Sequence, residues 1–235
     1  MIKAVFFDFY GTLVAWQPSA GEIQRAAAAA QGLDVDTNRI EMAYPTANAF
    51  LNKGNAESLL RDRPENKRDA FFAEFEQLLL STAGYDVSIE AAWAIWLKVR
   101  ATPKEFALYP DALPAVEALH EKGLMIGVVS NIGTELPDHV QNVGLGPYVT
   151  VTVSSGEVGV AKPHPAVFET ALRKAGVSAA EAVHVGDGYE SDVVGATNAG
   201  LHAIFLLREG ATDAPEATAV VRSLGDVQQH VAQLA

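Results

Sequence analysis

Five short apolar runs, at residues 2–7, 124–129, 149–153, 182–185 and 202–207, set the tightest limit on what this chain can fold into. They are rich in Val, Ile and Phe and largely lack the apolar–polar alternation of a strand with one wet face. Such runs read as strands buried on both sides, the condition of a parallel sheet covered by helices. Helical patterns lie between them. Residues 111–122 carry Leu113, Val116, Ala118 and Leu119 on one side and stop at Gly123, and residues 134–143 stop at Gly144. Residues 165–175 open on a proline and stop at Gly176, and residues 191–199 stop at Gly200. Proline in the first turn and glycine just past the last are helix boundary signals with a backbone cause. Strand–helix–strand alternation predicts a three-layer, Rossmann-like α/β core with a parallel sheet and right-handed crossovers.

The first run is followed by something else. Residues 18–101 hold helical patterns at 21–31, 40–51, 67–80 and 89–99, with no convincing strand and a polar, loop-like stretch at 52–67. Phe71, Phe72, Phe75 and Leu78 form one apolar face there, and Trp93, Trp96 and Leu97 another. The expected organisation is a core of residues 1–17 and 102–235, interrupted by a helical domain at 18–101. With 49% hydrophobic and 20% charged residues, the 235-residue chain has enough apolar material for a packed interior.

Composition also excludes. A formal net charge of −12 argues against nucleic acid and against anionic membrane as partners, because both need a basic surface. A small anionic substrate then needs a local positive site or a metal ion. The absence of cysteine removes disulfides, thiolate catalysis and Cys-based metal sites. The first apolar run is too short for a signal peptide, and no run of about 18 apolar residues suggests a membrane span. The expectation is a cytoplasmic protein, monomer or homodimer.

In open parallel sheets ligands bind outside the carboxyl ends of the strands, near the switch point, so the residues after each strand matter most. The first strand delivers Asp8-Phe9-Tyr10-Gly11-Thr12-Leu13, and the second delivers Ser130-Asn131. After the third comes Gly159-Val160-Ala161-Lys162-Pro163-His164-Pro165, and the fourth delivers Gly186-Asp187-Gly188-Tyr189-Glu190-Ser191-Asp192. An aspartate after a strand is often only a turn former. Four segments that together supply a carboxylate, a hydroxyl, an ammonium and a carboxylate pair are harder to explain that way.

In these loops the chain resembles the haloacid dehalogenase-like hydrolase superfamily, with a helical cap inserted after the first strand. The resemblance spans the chain; it is specific in the core loops and only architectural in the cap. It implies that Asp8 is a nucleophile that forms a covalent aspartyl intermediate later hydrolysed by water. Thr12 and Ser130 would bond the transferring group, together with Gly11 and Asn131 beside the substrate. Lys162 would neutralise charge, and Asp187 and Asp192 would join Asp8 and the Tyr10 carbonyl around Mg2+. The chemistry fits these residue types. A carboxylate is a weak nucleophile that needs positioning and nearby positive charge. Phosphoryl transfer relies mostly on positioning and electrostatic stabilisation. Mg2+ takes oxygen ligands, only a few of them carboxylates.

One position departs from the phosphatase pattern. Phosphatases of this superfamily usually carry an aspartate two residues after the nucleophile, which protonates the leaving group; here that position is Tyr10. A tyrosine, with an ordinary pKa of about 10, is a poor acid–base near neutrality. An Asp-x-Tyr-Gly-Thr loop instead resembles the 2-haloacid dehalogenases, which displace halide from carbon without a metal. Asp187 points the other way, because those dehalogenases typically have serine there and lose the metal site. A buried extra carboxylate is costly without a cation, so the sequence favours a Mg2+-dependent phosphohydrolase on a small phosphorylated metabolite. A 2-haloacid dehalogenase and a catalytically weak ligand- or partner-binding member stand as alternatives. A phosphonate-cleaving relative would need a cap lysine, and Lys53 reads as solvated. Arg39 reads as an exposed helix arginine, His184 as a packed core residue, and His164 as an ordering element of its loop. Trp93 and Trp96 read as cap packing, while Tyr44, Asn48 and Asn52 share one helix face that can read a substrate.

Overall fold

The computed structural model describes residues 1–208 and 214–234. Residues 209–213 and Ala235, which the expected core range takes in, lie outside the described residues. In chain order come β1 (Ala4–Phe7), β2 (Val14–Gln17), α1 (Ala20–Ala29), α2 (Thr37–Glu57), α3 (Glu65–Thr82), α4 (Ile89–Ala101) and β3 (Glu105–Leu108). Then follow α5 (Ala112–Glu121), β4 (Met125–Ser130), α6 (Leu136–Asn142), β5 (Val149–Ser154), α7 (Ser155–Val158), α8 (Pro165–Ala175) and β6 (Ala182–Gly186). The described chain closes with α9 (Gly195–Asn198), β7 (His202–Leu206), β8 (Ala219–Val221) and α10 (Val227–Gln233). Two compact units result, one of Met1–Ala15 with Phe106–Ala235 and the other of Trp16–Glu105.

The first unit is a six-stranded sheet in the order β5-β4-β1-β6-β7-β8. Its strands pair in parallel throughout. The continuous apolar strands find their reason here, since successive side chains of β1 enter different cores. Val5 and Phe7 pack with Val116, Leu119, Val140 and Val227, from α5, α6 and α10. Ala4 and Phe6 pack on the other side with Val167, Phe168 and Ala171 of α8 and Ala196 of α9. The same division holds along β7, with Ile204 and Leu206 in one cluster and Ala203 and Phe205 in the other. This is the three-layer α/β arrangement expected. Because β1 lies between β4 and β6, the chain order reverses beside it. The loops after β1, β4 and β6 therefore open side by side at one carboxyl edge, where a parallel sheet builds its binding crevice.

The second unit holds α1 to α4, packed around Ile23, Ala27, Ile40, Ala43, Phe75, Leu79, Ile95 and Val99. Its helices start where the sequence offers caps. Ser19 and Glu22 form a reciprocal capping box on α1, Asp36 accepts from Arg39 N–H at 2.9 Å, and Ser88 accepts from Ala91 N–H at 3.2 Å. Trp96 stacks on Phe72 with ring centroids 4.5 Å apart, so this tryptophan packs the helices together.

Several elements differ from the sequence reading. The stretch 52–67 is not a loop: α2 runs through Pro45 to Glu57, Leu60–Asp62 forms a 3-10 turn, and α3 starts at Glu65. Polar composition misleads there because most of that surface is exposed. β2 and β3, which flank residues 18–101 on either side, pair as a two-stranded ribbon that the sequence reading lacks, four residues each being too short to display a period. The helix expected over 134–143 is confined to Leu136–Asn142. The one expected over 191–199 is a π-helical turn, Tyr189–Val194, that passes into α9.

Candidate active site

Asp8 follows β1, Ser130 ends β4 and Asp187 follows β6, so three neighbouring strands present them at one edge. Lys162 comes from the crossover between β5 and α8. Its ammonium, with the residue only 1% exposed, bonds Asp8 Oδ1 at 2.7 Å, Asp192 Oδ1 at 2.5 Å and the Val129 carbonyl at 2.9 Å. Oxygens of Asp8, Asp187 and Asp192 all lie within 4.8 Å of one another. Asp8 and Asp192 are buried, whereas Asp187 is partly exposed. Thr12 is buried and donates its hydroxyl to Asp187 Oδ1 at 3.3 Å, and Ser130 is buried at its strand end.

Local backbone holds this cluster. Gly11 has φ +87°, a left-handed conformation, and a Cβ there would collide with the Asp187 carboxylate, so glycine serves both the turn and the close approach. The turn closes with Leu13 and Val14 N–H donating to the Phe9 carbonyl at 2.9 and 3.0 Å. Tyr10 is half-buried in this loop and bridges to Val14. Asn131 uses both ends of its amide on the Lys162 backbone, accepting from Lys162 N–H at 2.7 Å and donating to the Lys162 carbonyl at 3.1 Å. It thus fixes the segment that carries the ammonium. His164 plays the ordering part expected of it, its Nδ1 accepting from Ala166 N–H at 3.2 Å at the start of α8.

Asp192 is the most heavily bonded group. Oδ1 accepts from Lys162 and from His184 Nε2 at 2.9 Å, and Oδ2 accepts from Gly188 N–H at 3.0 Å and Ser191 Oγ at 3.1 Å. The π-helical turn folds the carboxylate back onto Gly188; such turns recur at functional sites. The charges follow. Asp192 is pushed up by burial but held well below the usual carboxylate range by Lys162 and His184. Burial lowers His184, so its Nε2 donates as a neutral ring. Lys162 resists its burial because Asp192 and Asp8 raise it, and it stays an ammonium. Burial raises Asp8 against the pull of Lys162, and burial with the charges of Asp8 and Asp192 pushes Asp187 up to about 8.

Three carboxylates face one ammonium, so full ionisation of all three would leave two negative charges unbalanced. The donor set is all oxygen and suits a hard divalent cation. Asp187 is raised first by burial and then by sharing the site with two other carboxylates, against a smaller pull from Lys162.

Some functional contacts escape a sequence reading. His184 reads as core packing, and it is buried against Phe168, yet it also bonds Asp192. Its signal is a polar residue in an otherwise apolar strand. Arg208, just past β7, makes a two-pronged bond to Asp111 at 2.9 and 3.0 Å and donates to the Thr12 carbonyl at 3.0 Å. Its signal is a charge at the end of the fifth apolar run. Of the candidates in the helical unit, Arg39 is exposed over the Tyr85 ring at 4.7 Å and Lys53 is exposed. Tyr44 is half-buried, and burial pushes its phenol up while the Gln24 amide pulls it partly back.

A parallel three-layer sheet, an acidic cluster at its carboxyl edge and a buried lysine define a class of hydrolase, and a family model for haloacid dehalogenase-like hydrolases matches residues 2–200. The chain belongs to the haloacid dehalogenase-like hydrolase family. It is 30% identical over 213 residues to a glyceraldehyde 3-phosphate phosphatase of Methanothermobacter thermautotrophicus, covering 89% of this chain and 87% of that protein. It is 29% identical over 231 residues to a ribulose-1,5-bisphosphate 5-phosphatase of Halopiger xanaduensis, covering 92% and 89%. Among solved structures, a 2-haloacid dehalogenase of Pseudomonas syringae pv. Tomato is 28% identical, with a TM-score of 0.59 and 100% of both chains covered. No helix among the described residues is long and apolar enough to cross a membrane.

Proposed function

We propose that this chain is a Mg2+-dependent phosphohydrolase of a small phosphorylated metabolite, working in the cytoplasm, with Asp8 as its nucleophile. The observation that carries this reading is the unbalanced acidic cluster around Lys162. Asp8, Asp187 and the Tyr10 carbonyl would hold the ion. Asp192 belongs to the same cluster, with its oxygens already bonded by four protein donors. Bound Mg2+ supplies positive charge to the phosphoryl oxygens and to the nucleophile. The chain's own groups do the rest. Asp8 attacks phosphorus, the bond from phosphorus to the ester oxygen breaks, the departing alkoxide takes its proton from water, and a second water hydrolyses the aspartyl-phosphate to release inorganic phosphate and free Asp8. Lys162 keeps the carboxylate in place and offsets negative charge as it moves onto the leaving group. Thr12 and Ser130 would offer hydroxyls to the phosphoryl oxygens, while Asn131 holds Lys162; the Gly11 N–H, expected beside the substrate, is instead taken by the Val14 carbonyl at 2.9 Å. The two phosphatases of similar sequence act on phosphorylated sugars, and the family of substrates proposed here is of that kind. The helical unit at 18–101 is read as the cap that selects among them, with Tyr44, Asn48 and Asn52 as its first candidates.

Tyr10 favours a second reading, a 2-haloacid dehalogenase in which Asp8 attacks carbon, and the similar Pseudomonas syringae structure agrees with it. One paired assay separates the two. Phosphate release from a phosphomonoester panel should require Mg2+ and fall at least about a thousandfold in Asp8→Asn. It should be fastest on esters with good leaving groups, because a tyrosine is a weak proton donor. Halide release from 2-haloacids that survives a chelator would replace the phosphatase reading with the dehalogenase one.

A further inference from the structure

We propose that Arg208 is a positioning residue for the metal-binding end of the site, fixing the Thr12 backbone and, through the Thr12 hydroxyl, the Asp187 carboxylate. The inference rests on the phosphohydrolase reading, which makes Asp187 a ligand.

The carbonyls of the loop after β1 are satisfied in two ways. Those of Phe9 and Leu13 accept backbone N–H groups, from Leu13 and Val14 and from Tyr109. The Thr12 carbonyl accepts instead from the guanidinium of Arg208, 3.0 Å away, a side chain from the far side of β6 in the sheet. That guanidinium has little freedom. Both of its terminal nitrogens bond Asp111, and its Cζ lies 4.0 Å from the centre of the Tyr109 ring. Asp111 is itself anchored by Ser223 Oγ at 3.0 Å and Leu224 N–H at 2.9 Å. Burial pushes Asp111 up, but Arg208 and these donors hold it below the usual carboxylate range, so the fork meets a charged partner.

The consequence is geometric. Thr12 Oγ1 donates to Asp187 Oδ1 at 3.3 Å, and Gly11, its chain neighbour, has no room for a Cβ against the same carboxylate. A shift of the Thr12 backbone therefore moves the carboxylate that must meet the ion. Outer groups that orient a metal ligand typically change metal affinity by about 10–100-fold. A lysine cannot replace the fork, since it offers a point charge in place of two parallel bonds to Asp111 plus one to Thr12.

The test is direct calorimetric titration of the purified chain with Mg2+ alone, without substrate. Arg208→Ala should weaken Mg2+ binding by about tenfold or more, with Arg208→Lys between it and the wild type. Millimolar ethylguanidinium should restore part of the affinity of Arg208→Ala. Asp111→Asn, which keeps the volume and loosens the fork, should move affinity in the same direction by less. If thermal stability falls while Mg2+ affinity of the folded variants stays at the wild-type value, Arg208 is only structural and the proposal fails. If Arg208→Ala does not fold, unchanged affinity in both Arg208→Lys and Asp111→Asn overturns it equally. A wild-type chain with no measurable Mg2+ affinity overturns the phosphohydrolase reading and this role with it.

Discussion

Two buried carboxylates show how environment sets the state of a single residue. Asp192 receives four donors, two of them on a cationic or polar ring partner, and stays ionised. Glu76, fully buried in the helical unit, receives one, the Gln24 amide at 3.0 Å, and its Oε1 has no partner among the described residues. Burial pushes it from the ordinary 4.5 up to about 7. A carboxyl raised on folding supports the fold fully below its ordinary value and loses that support as pH rises through about 7. The rise amounts to roughly 3 kcal/mol once the group is charged. Glu76→Gln should therefore stabilise the chain at pH 8 and do little at pH 4.5. Its new amide can also donate towards the orphaned Gln24 Oε1. Chemical denaturation at the two pH values measures this, and an equal effect at both would show that the charge is not the cause. At this scale the members of the acidic cluster and its lysine were legible in the sequence. Asp8, Lys162, Asp187 and Asp192 each follow a strand in a parallel pattern, and chemistry restricts what such residues can do together. The supporting contacts were not legible. His184–Asp192 and Arg208–Asp111 depend on which side chains meet across the sheet, and a residue's type says little about that.

At the scale of elements, apolar periodicity carried most of the reading and failed where burial is one-sided or brief. The exposed end of α2 looks like a loop in sequence because its apolar contacts are few. One of them is unusual. Gly54 sits inside α2, and a Cβ there would run into the ring of Phe71 from α3. That ring is stacked on Phe50 at 4.8 Å and covered by Arg63 at 5.1 Å, so it has little space to yield. Gly→Ala inside a helix ordinarily gains about 0.5–1 kcal/mol. Overpacking of a tight contact loses about 1–3 kcal/mol, and the second effect should win. Gly54→Ala is expected to lower the melting temperature, while Gly54→Ala with Phe71→Leu should recover part of the loss. A single variant more stable than wild type would mean that α2 and α3 move apart easily. The strands β2, β3 and β8 were missed for a simpler reason. Three or four residues cannot show a period of two against the background of chance.

For the whole molecule, the net charge of −12 and the acidic cluster pull in the same direction, towards a bound cation. Burial and the neighbouring carboxylates push Asp187 up to about 8, so on the proposed phosphohydrolase reading Mg2+ would displace a proton below that pH. Mg2+ affinity should rise about tenfold per pH unit between pH 6 and 8 and level off above, and the stabilisation by a fixed excess of Mg2+ should grow in step. Thermal melts with and without Mg2+ across that range check the sign. A shift that is flat with pH would place the ion away from Asp187. The sequence by itself determined the α/β class and the parallel sheet, and it singled out the residues that meet in the acidic cluster. Each of these follows from local rules: the period of apolar residues, the residues that end helices, and the chemistry after a strand. Only the tertiary structure decided which of the neighbours support those groups. Asn131 holds Lys162, His184 holds Asp192 and Arg208 holds Thr12, because parallel strands distant in sequence bring their ends to one edge, and that pairing is written in no single stretch of chain.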